Sequence, residues 1–239
     1  MVLYYILLPL AWIVFHIGFR VECIGRENLK KVRTSGCIIA PNHVSAIDPV
    51  FVVITRFWGR RMVVFAKKEL FEINVLLTWF FRWMGALCVR GTREELDVID
   101  QTVEACRNGG TLLIFPEGTR HTNGKVGRGK IGVCLLSAKS GKPVIPVGLI
   151  FNSTNLHFRS KICIRLGKPI YPSEYGITAD SNPHEMHAMR NAIMTQIKAL
   201  VEENPPFPIV HDQPKKLTAI EQQHEQRKKE LEERRHTEE

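Results

Sequence analysis

The segment Cys37–Pro49, with the sequence CIIAPNHVSAIDP, contains the strongest local signal of the fold. Its first four residues are apolar, which is typical of a short buried strand. Asp48 and Pro49 then favour the start of a helix, because aspartate is a good N-cap residue and proline suits the first helical position. A polar loop that carries His43 lies between the two. The stretch therefore predicts a strand–loop–helix unit in which a histidine precedes an aspartate by five positions.

Short apolar runs alternate with helical patterns along most of the chain. The predicted strands are Cys37–Ala40, Met62–Ala66, Ala86–Val89, Thr111–Phe115, Pro143–Phe151 and Lys161–Leu166. The predicted helices begin at Asp48 or cover Glu94–Arg107, Lys130–Lys139 and Pro183–Val201. This alternation predicts an α/β fold with a central, mostly buried sheet flanked by helices. A chain of 239 residues is long enough for one core, so one main domain is expected.

The amino-terminal segment is apolar throughout. Residues 1–19 contain no Asp, Glu, Lys or Arg. At about 1.5 Å per residue, a helix of this length just matches a ~30 Å hydrocarbon core. A secretory signal is a poor interpretation, since a basic n-region and a cleavage site are lacking. We interpret residues 1–20 as an N-terminal membrane-anchor helix, spanning or lying in one leaflet; a buried core helix is the alternative.

Two further segments complete the organisation of the chain. Residues 70–84 have an aromatic helical pattern, which fits either core packing or a lipid-facing surface that forms an acyl-chain wall. Residues 204–239 form a proline-rich linker and a densely charged tail, to which we assign no chemistry. The main domain is therefore expected at 21–203.

Composition narrows the classes of partner and compartment. The net charge is +9, and a basic body suits anionic lipid surfaces, phosphorylated substrates, an acidic carrier protein or nucleic acid. The six cysteines form no C-x-x-C pair, which indicates buried thiols in a reducing compartment. The nine histidines show no metal-ligand spacing, so no metal site is expected.

His43 and Asp48 are the candidate catalytic residues. A neutral imidazole accepts a proton from an alcohol near pH 7, which contributes typically ~10² to 10⁴ in rate. Asp48 would hold the other ring nitrogen and stabilise the imidazolium. The alternative is that Asp48 only caps the helix and His43 is an ordinary loop residue. No nucleophile elbow surrounds Ser45, so the attacking hydroxyl is expected to belong to a substrate.

A second candidate site is Phe115–Arg120, with the sequence FPEGTR. It follows a predicted strand, turns at Gly118 and presents Arg120, whose guanidinium binds phosphate through paired hydrogen bonds. The chain stays basic and glycine-rich through Lys130. The segment lacks the nucleotide P-loop pattern. It therefore predicts an anion-binding turn, although an exposed surface turn is the alternative.

These segments together resemble the glycerolipid acyltransferases, namely the 1-acylglycerol-3-phosphate O-acyltransferase (lysophosphatidate acyltransferase) family. The resemblance spans about residues 20–170. Its four ordered motifs are Asn42-His43-x-x-x-x-Asp48, Gly85–Arg90, Phe115–Arg120 and Val144–Val147, with a lysine segment at Ala66–Leu70 and a helix-opening lysine at Lys130.

The resemblance implies a membrane-associated enzyme of phospholipid biosynthesis. His43, oriented by Asp48, would deprotonate the free hydroxyl of lysophosphatidate, which would then attack the thioester of acyl-CoA or acyl carrier protein and give phosphatidate. No metal or other cofactor is implied, because the thioester is already activated. The residues implied to bind the acceptor are Lys67, Arg90, Glu117, Gly118, Thr119, Arg120 and Lys130.

Other interpretations remain open at this point. The same chemistry on glycerol 3-phosphate, another lysophospholipid or a lyso-aminolipid is one, and a lipid hydrolase is a second. A non-catalytic protein that binds membranes or nucleic acid is a third, which the His43–Asp48 pair argues against. We expect membrane lipid and no nucleic acid as a partner, and a membrane location with the active site on the cytoplasmic side.

Overall fold

The computed structural model describes residues 2–32, 34–55, 62–67, 86–89, 93–121, 123–153 and 156–210. Its helices are α1 (Val2–Gly18), α2 (Arg26–Val32), α3 (Asp48–Thr55), α4 (Arg93–Arg107), α5 (Gly132–Ser140) and α6 (His187–Glu202). Its strands are β1 (Arg20–Ile24), β2 (Cys37–Pro41), β3 (Met62–Lys67), β4 (Ala86–Val89), β5 (Thr111–Leu113), β6 (Val144–Phe151) and β7 (Lys161–Leu166). The predicted helix at 70–84 and the tail from residue 211 lie outside the described residues.

The described strands form one sheet in the order β1-β7-β6-β2-β5-β3-β4. Neighbouring strands are parallel, except that β6 and β7 are antiparallel. The predicted α/β fold with a central sheet is therefore confirmed. Because β2, β5, β3 and β4 run in one direction, their carboxyl ends meet along the same edge, and the chain leaves that edge in loops.

The core consists of a layer on each face of the sheet. Successive strand residues point to opposite faces, so alternate positions join different clusters. One cluster, with residues from α1, α2 and α3, includes Ile39, Leu113 and Ile145. The other, with residues from α4, α5 and α6, includes Ile38, Leu112 and Val144. Strand β2 is buried along its whole length, which fixes the position of the loop that follows it.

Helix α1 packs one side against the core. Phe15 of α1 and Phe19, which directly follows the helix, each contact Phe51 of α3 edge to face, with ring centroids 5.3 Å apart. The N-terminal segment is helical, but within the described ranges no helix is both long and apolar enough to cross a membrane. The predicted membrane-anchor helix is therefore not found in a spanning form.

Several predicted boundaries need correction. Strand β5 ends at Leu113 rather than at Phe115, because Phe115 leaves the sheet to stack on His43. Helix α5 begins at Gly132 rather than at Lys130, and α6 begins at His187 rather than at Pro183. Strand β1 and helix α2 were not predicted from the sequence. Strand β1 lies at the edge of the sheet with no fully buried residue, so its apolar pattern is weak.

Candidate active site at the carboxyl edge of the sheet

The loop that carries His43 is fixed at its start by Asn42. This residue is buried, and its amide forms two hydrogen bonds with the backbone of Leu149 in β6. The Leu149 N–H donates to Oδ1 at 2.7 Å, and Nδ2 donates to the Leu149 carbonyl at 3.1 Å. The side chain thus imitates a backbone partner and continues the pairing of β2 with β6. Sequence reasoning gave Asn42 no role, although an amide directly after a buried strand is a signal for one.

His43 and Asp48 contact each other directly. His43 Nδ1 lies 2.8 Å from Asp48 Oδ2, and the Asp48 side chain is completely buried. The same oxygen accepts hydrogen bonds from the backbone N–H groups of Val44 and Ser45. Asp48 therefore faces the loop before it and does not cap α3, which disfavours the alternative that it is only a cap. Since Nδ1 faces a carboxylate, it carries the hydrogen and Nε2 is left as the basic nitrogen.

The imidazole of His43 is held on a second side by Phe115. The two rings stack with centroids 3.9 Å apart and planes 23° from parallel. The His43 side chain is 18% exposed, and among the described residues its Nε2 has no hydrogen-bond partner. A base with one nitrogen fixed by a carboxylate and the other accessible suits the abstraction of a proton from an incoming hydroxyl.

The turn after β5 brings the second predicted site next to the first. Gly118 has a φ of +70°, a conformation that L side chains rarely adopt, and its N–H donates to the Phe115 carbonyl at 3.1 Å. A Cβ on Gly118 would lie 3.0 Å from Nζ of Lys130, so the lysine side chain crosses this glycine. The Lys130 N–H donates to the Pro116 carbonyl at 2.8 Å. The turn therefore gathers Lys130 beside Gly118, two positions before Arg120.

Glu117 lies beneath this turn with a fully buried side chain. Its Oε1 accepts a hydrogen bond from the His43 N–H at 2.8 Å, and its Oε2 accepts one from the Gly127 N–H at 2.7 Å. His121 Nε2 lies 3.4 Å from Oε2. The carboxylate thus joins three loops of the site. These contacts give Glu117 a positioning role, and its predicted contact with the acceptor stays a prediction that the burial does not favour.

The remaining predicted residues differ in how the structure places them. Arg120 is exposed and makes no ion pair within the described part of the chain, while Thr119 is partly exposed. Lys67 ends β3, where its Cα pairs with that of Val89, at the same edge of the sheet as His43. Arg90 lies outside the described residues. His43, Asp48, residues 117–120 and Lys130 therefore lie close together. Lys67 lies at the same carboxyl edge of the sheet.

The charge of the turn is strongly positive. Between residues 116 and 130 the chain carries four Lys or Arg residues against the single acid Glu117. The four cationic side chains are exposed, whereas the acid is buried. In the described ranges no three His, Cys, Asp or Glu side chains cluster as metal ligands do. The site thus places a carboxylate-oriented base beside cations that attract an anionic molecule.

Comparison with known proteins agrees with this geometry. Residues 20–150 match a family model described as Acyltransferase. The chain is 31% identical over 159 residues to a 1-acyl-sn-glycerol-3-phosphate acyltransferase of Borreliella burgdorferi, covering 64% of this chain and 60% of that protein. It is 26% identical over 184 residues to a chloroplastic enzyme of the same name from Brassica napus, covering 73% of this chain and 52% of the relative. The chain thus spans between half and two thirds of the length of these relatives.

A solved structure is similar over most of the chain. The 1-acyl-sn-glycerophosphate (LPA) acyltransferase PlsC from Thermotoga maritima superposes with a TM-score of 0.61 at 25% identity. The similarity covers 84% of this chain and 77% of the other. The matched family segment begins with β1 and includes His43, Asp48, Glu117 and Arg120. The chain therefore belongs to the acyltransferase family.

Proposed function

We propose that the protein transfers a fatty acyl group from a thioester, acyl-CoA or acyl carrier protein, to the free hydroxyl of lysophosphatidate. The product is phosphatidate, and the reaction belongs to phospholipid biosynthesis. The observation that carries this proposal is the accessible Nε2 of His43, fixed by Asp48 and adjoining the cationic turn. The names of the relatives and of the solved neighbour support lysophosphatidate as the acceptor.

Each step of the reaction has a residue to perform it. His43 Nε2 removes the proton of the acceptor hydroxyl while its oxygen attacks the thioester carbonyl. Asp48 stabilises the imidazolium, because its oxygen lies 2.8 Å from Nδ1. The tetrahedral intermediate collapses with cleavage of the C–S bond, and the imidazolium returns its proton to the leaving thiolate. The ester, the thiol and neutral His43 remain, so atoms and charge balance.

Arg120 and Lys130 bind the phosphate of the acceptor in this proposal. Both side chains are exposed, and the lysine lies against Gly118, whose lack of a Cβ leaves room for it. Arginine presents a fork of donors that fits phosphate oxygens, while lysine acts as a compact charge. Lys67, the last residue of β3, remains a candidate for the same phosphate, as does Arg90, which lies outside the described residues. Binding the phosphate near His43 would bring the acceptor hydroxyl within reach of Nε2.

The proposal includes association with a membrane, with the site on the cytoplasmic side. The side of α1 that faces away from the core exposes Leu10, Ile13, Val14 and Ile17, which helical geometry places within one arc. Phe158 is 71% exposed, and the backbone N–H of its neighbour Arg159 donates to the carbonyl of Gly18 at the end of α1. Exposed apolar side chains of this kind suit contact with lipid. Free cysteines in the described residues agree with a reducing compartment.

An acceptor screen tests the proposed activity. Purified protein in detergent is given a labelled acyl thioester with lysophosphatidate, glycerol 3-phosphate or no acceptor. We expect labelled phosphatidate in the first case and its loss in His43→Ala, while the matched control His187→Ala, at an exposed position of α6, keeps full activity. Transfer only to glycerol 3-phosphate would show that this molecule, and not lysophosphatidate, is the acceptor. Release of free fatty acid without an acceptor would instead indicate a hydrolase.

A flotation experiment tests the membrane part separately. The full chain is mixed with vesicles of phosphatidylcholine that contain one third phosphatidylglycerol, and then centrifuged through a density gradient. We expect the protein to float with the vesicles, and Ile13→Ser with Ile17→Ser to reduce the floated fraction. If the wild-type chain stays at the bottom of the gradient at low salt, the membrane proposal is wrong, whereas the acceptor screen is unaffected.

A further inference from the structure

His121 is a residue of the site that neither the motif reasoning nor the proposed mechanism uses. It follows Arg120 at the end of the turn, and its side chain is 35% exposed. Its backbone N–H donates to the carbonyl of His43 at 2.7 Å, and its Nε2 lies 3.4 Å from Oε2 of Glu117. One residue therefore contacts both the catalytic loop and the buried carboxylate beneath it.

These contacts place the backbone of His43 between two groups of the same turn. The His43 N–H donates to Glu117, and the His43 carbonyl accepts from His121. Glu117 is buried and forms no ion pair with an Arg or Lys among the described residues, so backbone N–H groups are its main donors. Nε2 of His121 lies within ion-pair distance of this carboxylate, at 3.4 Å from Oε2. A protonated ring would therefore place a positive charge beside the carboxylate that itself holds the catalytic loop.

Gly127 fixes where the ring of His121 lies. A Cβ on this glycine would lie 2.2 Å from His121 Nε2 and within 2.8 Å of two ring carbons. The imidazole therefore packs directly on the backbone of Gly127, whose N–H binds the same Glu117 oxygen. Gly127 is not among the described residues with positive φ, so an alanine there would displace the ring without straining the backbone.

We propose that His121 is a positioning residue that, through Glu117 and the carbonyl of His43, holds the catalytic histidine in line with the acceptor turn. Its ring is not a ligand of the acceptor phosphate. The expected effect on the reaction rate rests on the proposed acyl transfer. The positioning role, which means the contacts of His121 with Glu117 and with the carbonyl of His43, does not depend on it. Loss of the ring would let Glu117 and the His43 backbone move, and a displacement of a base lowers the rate of the chemical step.

Steady-state kinetics with lysophosphatidate and an acyl thioester test the proposal. We expect His121→Ala to lower kcat on the order of 10- to 100-fold with acceptor KM changed less than about threefold. His121→Gln, which returns an N–H donor near the position of Nε2, should recover more of kcat than His121→Leu. A rise in acceptor KM at unchanged kcat would instead make His121 a phosphate ligand, and no change in either constant would overturn the positioning role.

A double-mutant cycle adds a test with a matched control. Gly127→Ala should lower kcat as His121→Ala does, and the double variant should be no worse than either single variant, because the alanine acts through the ring. Gly132→Ala is the control, since a Cβ there meets nothing within 4 Å and its φ is not positive. Additive losses in kcat would show that Gly127 acts by another route and would overturn the inference.

Hydrogen exchange separates this inference from the proposed function. In His121→Ala the amide of His43 should exchange faster than in the wild type, while amides of β2 keep their protection, whether or not the protein transfers acyl groups. If the His43 amide exchanges faster in His121→Ala but the wild-type protein has no transferase activity, the positioning role of His121 stands and the acyl transfer is rejected. If the His43 amide exchanges at the same rate in His121→Ala and in the wild type, the positioning role of His121 is rejected.

Discussion

Replacing Asp48 with asparagine tests the central claim about the site, because it removes the charge while it keeps the shape. Asp48 Oδ2 accepts three hydrogen bonds, from His43 Nδ1 and from the N–H groups of Val44 and Ser45. An asparagine oxygen can accept the same three. The amide NH₂ then occupies the position of Oδ1, a buried atom without a hydrogen-bond partner. The loop geometry should therefore survive, and only the stabilisation of the imidazolium is lost.

The structure sets the size of the expected effect. The oxygen lies 2.8 Å from Nδ1 of His43. At that separation and an effective dielectric constant near 20, Coulomb's law gives about 6 kcal/mol between unit charges. Since His43 is partly exposed, we take roughly 3 to 5 kcal/mol, which corresponds to a fall in kcat of ~10² to 10⁴. The unfolding free energy should change by less than about 2 kcal/mol, because a buried unsatisfied NH₂ is offset by relief of charge burial.

The assay combines kinetics with urea unfolding. Both are measured on the wild type, on Asp48→Asn and on the matched control Asp100→Asn, which changes an exposed aspartate paired with Lys139 at 3.7 Å. The control should keep kcat within about twofold, since exposed ion pairs contribute little. If Asp48→Asn retained more than a third of the wild-type kcat while folding normally, the charge of Asp48 would not stabilise the imidazolium. A fall in kcat that merely followed a loss of folded protein would refute the reasoning equally.

Three further predictions concern the turn and the core. Glu117→Gln should lower the unfolding free energy by about 1–3 kcal/mol in urea titrations and reduce kcat. The reason is that one of the N–H donors that face the carboxylate then meets an NH₂ group. An unchanged urea midpoint would contradict this prediction. Gly118→Ala should lower the unfolding free energy by about 1 kcal/mol, because φ is positive at this position, and should raise the KM for the acceptor. An equal KM in the variant and the wild type would show that Gly118 is not part of the phosphate site. Burial raises the pKa of the Cys106 and Cys134 thiols from their ordinary value of 9.0 to about 12. The unfolded state therefore loses these protons first as pH rises. The unfolding free energy should therefore fall between pH 9 and 12, and less so in Cys134→Ala; stability that is flat over this range would contradict the burial of these thiols.

Much of the fold follows from local patterns. Buried strands such as Cys37–Pro41 and Val144–Phe151 are apolar runs that can be recognised without neighbours. Helix α3 begins at Asp48 as the Asp-Pro pair predicts. The predicted ends of strands and helices were wrong where tertiary contacts determine them. Phe115 is apolar enough to continue β5, but it leaves the sheet because its ring stacks on His43.

In the candidate site, too, local patterns predicted the residue types, and tertiary contacts determined their arrangement. Residue types indicated a base at His43, a carboxylate at Asp48 and an anion-binding turn at Phe115–Arg120. Spacing could not show that Asp48 turns its carboxylate back onto the loop, since that depends on two backbone amides as well as the ring. Asn42 and His121 were missed because each acts on a backbone group that is distant in sequence.

The α/β class, the chemistry of the His43–Asp48 pair and the cationic character of the turn can be predicted from the sequence, since they depend on residue type and local order. How the two motifs meet depends on the packing of distant segments. Strands β2 and β5 are neighbours in the sheet although about seventy residues separate their loops. Their parallel alignment brings both loops to one edge, where buried Glu117 binds the N–H of His43. Such a contact between distant segments depends on strand order, and strand order is fixed by the packing of the whole core.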